Sequence, residues 1–564
     1  MNFHDRVVGF LRGPAPKNLF LRVPSRPKGR LVLTGLLVAT IATIFVAKGE
    51  KTDFVRLSKP ELLSFDELVQ LEKTEKPEGQ LADRLTQLLQ TPLISNEAYF
   101  AGAKPNRPSS DQLGPFIRAT MWNIERGSEL DGILTALTAP DNFGKYIEAK
   151  KEPDSKPLTS AELGVVKDQL SILGQTDLFI LNEVDNGVTR TDYRDVGHEL
   201  ATALKMNYAY GVEFLEVDPL NLGIEQVKME DKAAEADIQK SFQPDKSRYL
   251  GLHGTAVLSR YPIRKATVKA LPVCHDWYGT EKKEVSKLES GKRWGSNAVF
   301  MERISREVRR GGRMALIVEL AVPESPTGAV TVVATHLENK CKPGCRKKQF
   351  AQILEWVHAD ANPVVIAGDM NTTATDSSPT SALKILKDRV KDPHAWARDA
   401  IKWTTGAPTI LLMPVNYLRA KNDPTGVDVP IFSRKTESSL FKKMSDFYFD
   451  DGHTFDFRGE NVRSADNRGG TLSDSNQRAG KGFRYTFALP QTYGGLVGEF
   501  KLDWFFVKGY ATDAEKSGGD YKFAPHFGRT LQEMNGAPDE PLSDHSPITI
   551  DVPLEEPHLS ADRR

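Results

Sequence analysis

The sequence predicts an α/β protein preceded by one N-terminal transmembrane helix, and three observations predict it. Short apolar runs of strand length recur from Phe116 onward, each closed by a polar turn or followed by a helical pattern. Apolar residues at helical spacing lie between several of those runs. Ahead of all of them stands Leu31–Ala47, a run without charge and of about the shortest length that crosses a bilayer as a helix.

Residues 1–30 carry Arg6, Arg12, Lys17, Arg22, Arg26, Lys28 and Arg30 against a single acid, Asp5, whereas beyond the apolar run Lys48, Lys51 and Arg56 are mixed with Glu50 and Asp53. The positive side stays in the cytoplasm. Residues 1–30 are therefore expected to be a basic cytoplasmic tail, 31–47 a transmembrane signal anchor, and the remainder extracytoplasmic, that is periplasmic or extracellular. A cleaved signal peptide is the rival, but the basic region is long for one and no small-x-small site follows the run. A mitochondrial presequence ranks third.

Residues 48–114 are polar and Pro-dotted, with DELVQLEK and RLTQLLQ as short amphipathic segments, and read as a stalk or lead-in. Residues 115–553 form the α/β domain. Its readable strands are FIRATMWNI, DLFILNEV, YAYGVEFLEV, GTAVLSR, RMALIVELAV, VTVVATHL, PVVIAGDM, KLDWFFVKG and PITIDV, and its clearest helices are ELGVVKDQLSILG, DVGHELATALK and RKKQFAQILEWVHA. Stretches near 218–248, 275–312 and 403–495 break the pattern and read as surface insertions, where substrate choice can be encoded. Residues 554–564 are a polar tail, and no internal repeat is present.

Lys+Arg and Asp+Glu are equal at 75 each, so the chain lacks the long-range field of a dedicated nucleic-acid binder, and phosphate recognition is expected to be local to a cleft. Cys341 and Cys345 in CKPGC are spaced to close a small disulfide loop in an oxidising compartment. The alternative is two thiols on a Pro-Gly turn, with Cys274 lacking an evident partner. A structural zinc site is disfavoured, because no second Cys or His pair lies near.

Polar residues close six strands: Asn123 in WNIE, Glu183 in LNEVD, His336 in THLE, Asp369 and Asn371 in GDMN, Asp503 in LDW, and Asp544 and His545 in SDHSP. Singly, each has a bland explanation as a turn residue, a helix cap or a partly buried histidine. Their joint appearance in this order resembles the endonuclease/exonuclease/phosphatase superfamily, from roughly Phe116 to Val552. That family includes pancreatic-type deoxyribonucleases, apurinic endonucleases, neutral sphingomyelinases, inositol polyphosphate phosphatases and deadenylases. GTAVLSRYPI and CRKKQFAQIL are similar to its neighbouring strand and helix.

The resemblance implies a four-layer α/β/β/α sandwich of two mixed sheets with long insertions, the site gathered at one end. It implies a Mg²⁺-dependent phosphoesterase, with Mn²⁺ as an alternative ion, in which an activated water attacks in line. Glu183 and Asn123 would hold the metal through oxygen. His545 would be the general base, aimed by Asp503. Asp369 and Asn371 would orient water and phosphate, and a protonated His336 would stabilise the transition state. Asp544 would bind metal or position the site, and Arg313 would bind phosphate. Arg303, Arg306, Arg309 and Arg310 read instead as a solvated charge run.

Apurinic endonucleases carry asparagine where THLE puts His336, so the chain is more similar to the nuclease, sphingomyelinase and inositol phosphatase branches. The substrate is expected to be a nucleic acid, a phospholipid or an inositol phosphate, with an extracytoplasmic endonuclease leading. A lipid phosphodiesterase would use apolar loops such as FKKMSDFYFDDGHTFDF and TILLMPVNYL, which core packing explains equally well. A non-catalytic, membrane-tethered binding protein is the alternative from another class.

Overall fold

The computed structural model describes residues 54–111, 113–153, 155–219, 244–282, 307–372, 438–455, 485–487, 501–508 and 528–554. In chain order the strands are β1 (Leu57–Ser58), β2 (Leu93–Ser95), β3 (Ser109–Ser110), β4 (Gly114–Arg126), β5 (Leu178–Asn186), β6 (Asn207–Glu216), β7 (Leu252–Ser259), β8 (Ile263–Ala270), β9 (Arg309–Gly311), β10 (Met314–Ala321), β11 (Ala329–His336), β12 (Val364–Asp369), β13 (Asp503–Val507), β14 (Arg529–Thr530) and β15 (Ile548–Pro553).

The larger sheet runs β1-β2-β6-β7-β5-β4-β15-β14, with β3 on β4 and β9 on β6, and the smaller runs β13-β12-β11-β10-β8. Each is mixed, since β4–β5 and β11–β12 are parallel pairs while the β5–β7 and β10–β11 pairs are antiparallel. Strand alternation builds the interior. Ile117, Ala119 and Met121 of β4, and Leu178 and Ile180 of β5, face Val332 and Ala334 of β11, Val365 and Ala367 of β12 and Phe505 of β13. The intervening residues, such as Trp122, Phe179 and Leu181, pack outward under the helices Leu130–Thr138, Ser160–Gly174 and Val196–Leu204. On the other outer face, Val333, Ile366, Trp504 and Phe506 lie under the helices Pro343–Val357 and Ser438–Ser445. Two helices start at capping boxes: Ser64 and Thr159 each pair reciprocally with the acid three residues on, Glu67 and Glu162.

Three expectations change and one open alternative is settled. Residues 54–110 are not a stalk. β1 and β2 extend the larger sheet beyond β6, and the helices Phe65–Lys73 and Gly79–Gln90 bury Leu68, Leu71 and Leu88 against it. Asn96 fastens this segment by donating to the carbonyl of Ile263 at 2.9 Å and accepting from its N–H at 2.8 Å. Second, the disulfide joins Cys345 to Cys274, 71 residues away, whereas Cys341 directs its thiol to the Glu338 carbonyl at 3.4 Å. Third, the FKKMSDFYF segment is core, since Phe441, Met444 and Phe449 are buried against the smaller sheet. Fourth, Arg309 is not solvated; Glu307 and Glu216 neutralise it in the interior.

The apolar run 31–47, the TILLMPVNYL stretch, Arg303, Arg306 and most of each insertion lie outside the described residues. Among the described residues no helix is long and apolar enough to cross a membrane.

Candidate active site

The inward-facing stripes of the smaller sheet end in polar residues. His336, Asp369 and Asp503 occupy one rung across β11, β12 and β13, paired His336 to Asp369 and Asp369 to Asp503. They continue the buried rows of Ala334, Ala367 and Phe505, so alternation alone aims them at the larger sheet. The rung closes tightly at Gly368, where a Cβ would stand 1.7 Å from the Thr335 carbonyl oxygen. Next to it the Asp369 N–H donates to Asn182 Oδ1 of the opposite sheet at 2.8 Å.

The larger sheet answers with a fault in its alternation. Val184 packs outward with Leu181, so the inside-outside phase of β5 slips between them, where the register with β7 gains one residue. β4 carries a matching irregularity between Asn123 and Arg126. At these bulges Glu183 (φ 52°), Glu125 (φ 46°) and Arg126 (φ 67°) adopt left-handed backbone, which costs energy in non-glycine residues and persists where the surroundings impose it. Asn123 Nδ2 spans the cleft, donating to Glu183 Oε1 at 3.2 Å and Asp369 Oδ2 at 3.4 Å, while its Oδ1 accepts from the Glu125 N–H at 3.1 Å. So placed, the amide joins two carboxylates and turns its nitrogen, not its oxygen, toward them.

His545 enters from the loop before β15. Its Nδ1 lies 2.7 Å from Asp503 Oδ2 and its Nε2 3.7 Å from Asp369 Oδ2. Trp122 Nε1 donates to the His545 carbonyl at 2.8 Å, the His545 N–H donates to Ser543 Oγ at 3.1 Å, and Phe487 meets the imidazole edge-on at 5.1 Å. Burial alone would lower the pKa of His545, but Asp503 and Asp544 outweigh it and hold the ring cationic.

Carboxylates dominate the cleft. Burial raises Asp369 to about 7, helped by Asp503. It raises Asp544 to about 6, helped by Glu183, and Glu125 to about 8, helped by Asp544. Asp369, Asp503 and His545 offer ligand atoms within 4.8 Å of one another, and Asp503 Oδ1 is buried without a partner among the described residues. Crowded hard-oxygen donors that hold protons for want of positive charge fit a hard divalent cation. The compact donor set is Asp369, Asp503 and His545, and the expected Glu183 and Asp544 are tied to Asp369 through their charges.

His336 differs from expectation. Burial and the Arg313 charge push its pKa well below the usual range, and Asn371 Nδ2 donates to its Nε2 at 2.9 Å. The ring is neutral and carries its proton on Nδ1, which is buried without a partner among the described residues. Asn371 itself (φ 49°) takes a left-handed turn closed by its N–H to Asp369 Oδ1 at 2.7 Å. Arg313 lies nearby, its Nη1 2.8 Å from Glu213 Oε2 and its Nε 3.8 Å from Glu338 Oε2, with its charge felt by Glu183 and His336.

Sequence reading missed Glu125, Asn182, Ser543 and Trp122, although all four stand inside the strings WNIE, LNEVD and SDHSP. It also missed Thr486, whose Oγ1 accepts from the Asp503 N–H at 3.2 Å and which belongs to the third insertion, where no periodic signal marks it.

Comparison with curated proteins yields no match. Solved structures with a similar fold include an endonuclease/exonuclease/phosphatase from Beutenbergia cavernae DSM 12333, at 15% identity over 78% of this chain and 72% of that one, TM-score 0.28. The human Nocturnin catalytic domain with bound sulfate anion matches at 12% identity over 79% and 98%, TM-score 0.33. A 3'-5' exonuclease from Neisseria meningitidis matches at 12% over 77% and 98%, TM-score 0.31. Likenesses at such TM-scores carry no argument about function. The family described as Endonuclease/Exonuclease/phosphatase matches residues 122–545, well over half the chain and every strand-end motif from Asn123 to His545, and the chain belongs to that family.

Proposed function

We propose that this member of a family of phosphate-ester hydrolases is a divalent-metal-dependent phosphodiesterase, endonuclease-like, held at a membrane by residues 31–47 with its catalytic unit outside the cytoplasm. The observation that carries the chemistry is the His336–Asp369–Asp503 rung, with His545 fixed on Asp503 and facing Asn123 and Glu183 across the cleft. The basic asymmetry around the apolar run and the Cys274–Cys345 disulfide support the location.

Each side chain then has a task. Asp503 orients the imidazole so that Nε2 faces Asp369, and with the acids' charge offset His545 takes a proton from the attacking water. Asp369, anchored by Asn182 and Asn371, positions that water. His336, held by Asn371 beside Asp369, would stabilise the oxygen that gains charge as the phosphorus becomes five-coordinate. Glu183, Asp369 and Asp544 would hold the divalent cation, Mg²⁺ or Mn²⁺, which would supply Lewis-acid neutralisation of the phosphate oxygens. The lipid phosphodiesterase reading loses the support of the FKKMSDFYF segment, which is core.

The test is turnover of bis(p-nitrophenyl) phosphate, plasmid DNA, RNA, sphingomyelin and inositol phosphates by the full chain, with and without Mg²⁺. DNA or RNA cleavage that needs Mg²⁺ and falls at least about a hundredfold in His545→Ala is expected. Turnover of sphingomyelin or inositol phosphates alone would move the assignment to those branches. No turnover of any substrate would favour the non-catalytic binding protein.

A further inference from the structure

Large apolar side chains exposed singly need no explanation, but a contiguous set does. Among the described residues eight are markedly exposed: Val55, Leu57, Leu62, Tyr99, Phe100, Val165, Val273 and Tyr448. Five of the eight fall between residues 55 and 100, and four of those five are neighbours in space. β1 pairs with β2 through Leu57 and Ser95, which brings Val55 and Leu57 beside the short helix Glu97–Phe100. Phe54 meets Tyr99 edge-on at 5.0 Å, Tyr99 meets Phe100 at 5.4 Å, and the Arg56 guanidinium lies 5.6 Å from the Phe100 ring centre while pairing with Glu97. The surface is thus aromatic and aliphatic with an Arg–Glu pair within it, a composition suited to the headgroup layer of a bilayer.

Covalent reach identifies the partner. Only Lys48 to Asp53 separate the end of the apolar run from Phe54, and a fully extended chain of that length spans about 25 Å at most. A folded unit of this size is on the order of 50 Å across, so the link from residue 47 to residue 54 is about half its width. We infer that Phe54, Val55, Leu57, Tyr99 and Phe100 form a lipid-facing contact that seats the catalytic unit on the membrane, rather than leaving it to hang from a tether. The inference rests on the anchor proposed for residues 31–47.

The test uses the full chain reconstituted into phosphatidylcholine/phosphatidylglycerol vesicles, with a protease site placed within residues 48–53. Alkaline carbonate extraction before cleavage reports the anchor alone. After cleavage, vesicle flotation of the freed unit reports the patch. Wild type should stay with the vesicles, and Leu57→Asp/Tyr99→Asp/Phe100→Asp should partition at least about tenfold less, with an unchanged thermal midpoint. Leu57→Asp alone, on a two-residue edge strand, should show a smaller loss in the same direction. Release of wild type on cleavage, with the intact chain resistant to carbonate, would overturn the lipid contact and leave the anchor standing. An intact chain that carbonate strips from the vesicles would remove both.

Discussion

Asp369, Asp544 and Glu125 keep their protons up to about pH 7, 6 and 8 because burial and neighbouring carboxylates disfavour a further negative charge. A divalent cation must displace those protons. Its affinity is therefore expected to rise between pH 6 and 8, and calorimetry in buffers of different ionisation heats should register proton release; an affinity indifferent to pH in that window would contradict the site. Asp503→Asn leaves the shape of the rung while removing the charge that holds His545. Turnover should fall by about a hundredfold or more, and an imidazole titration followed by NMR should move to lower pH. Two residues beyond Glu183, burial would raise Asp185, but Arg190 and His253 outweigh it and leave the carboxyl at about 2. Its contribution to stability is complete above the ordinary carboxyl range and disappears as pH falls from about 4 towards 2. Denaturant midpoints should record a loss of about 2 kcal/mol there, which Asp185→Asn should flatten.

Between elements, the Cys274–Cys345 bond ties the loop after β8 to the first turn of the helix Pro343–Val357. Closing a loop of 71 residues stabilises by about 4 kcal/mol in the chain-entropy estimate. Cys274→Ser, or reduction, should therefore lower the thermal midpoint by several degrees, and an unchanged midpoint would mean the bridge is idle. Gly368→Ala should be worse for the site than for the fold, because its methyl group would force β11 from β12 where His336 and Asp369 stand side by side. The sequence made much of this readable. Every long strand but β8 could be found, since apolar runs such as VTVVATHL and PVVIAGDM fill the interior between two sheets, whereas β8, IRKATVKA, edges the smaller sheet half-exposed and has no apolar run. The strand-end acids could be found too, since alternation carries them inward. β1 and β2 could not, because strands of two and three residues have no period to detect. The disulfide was hidden by distance along the chain, and the inward turn of Glu183 by a bulge that propensity does not announce.

For the molecule as a whole, the segment from Phe54 to Ser110 is a working part of the core, so a fragment starting at residue 111 should be recovered as aggregate, stripped of Leu68, Leu71 and Leu88 and of the cover on β6. A fragment of that kind with native solubility and midpoint would contradict this packing. The far end of the chain is equally central. β15 pairs along β4 from Met121 to Phe116, with only the short β14 beyond it, and His545 stands just ahead of it. Asn123 and Glu183 therefore emerge early in synthesis, whereas His545 and β15 follow every other described strand. A growing chain exposes this edge of β4 until β15 has emerged, and His545 is missing from the cleft during that interval. The order of synthesis thus withholds one wall of the proposed site until β15 is in place.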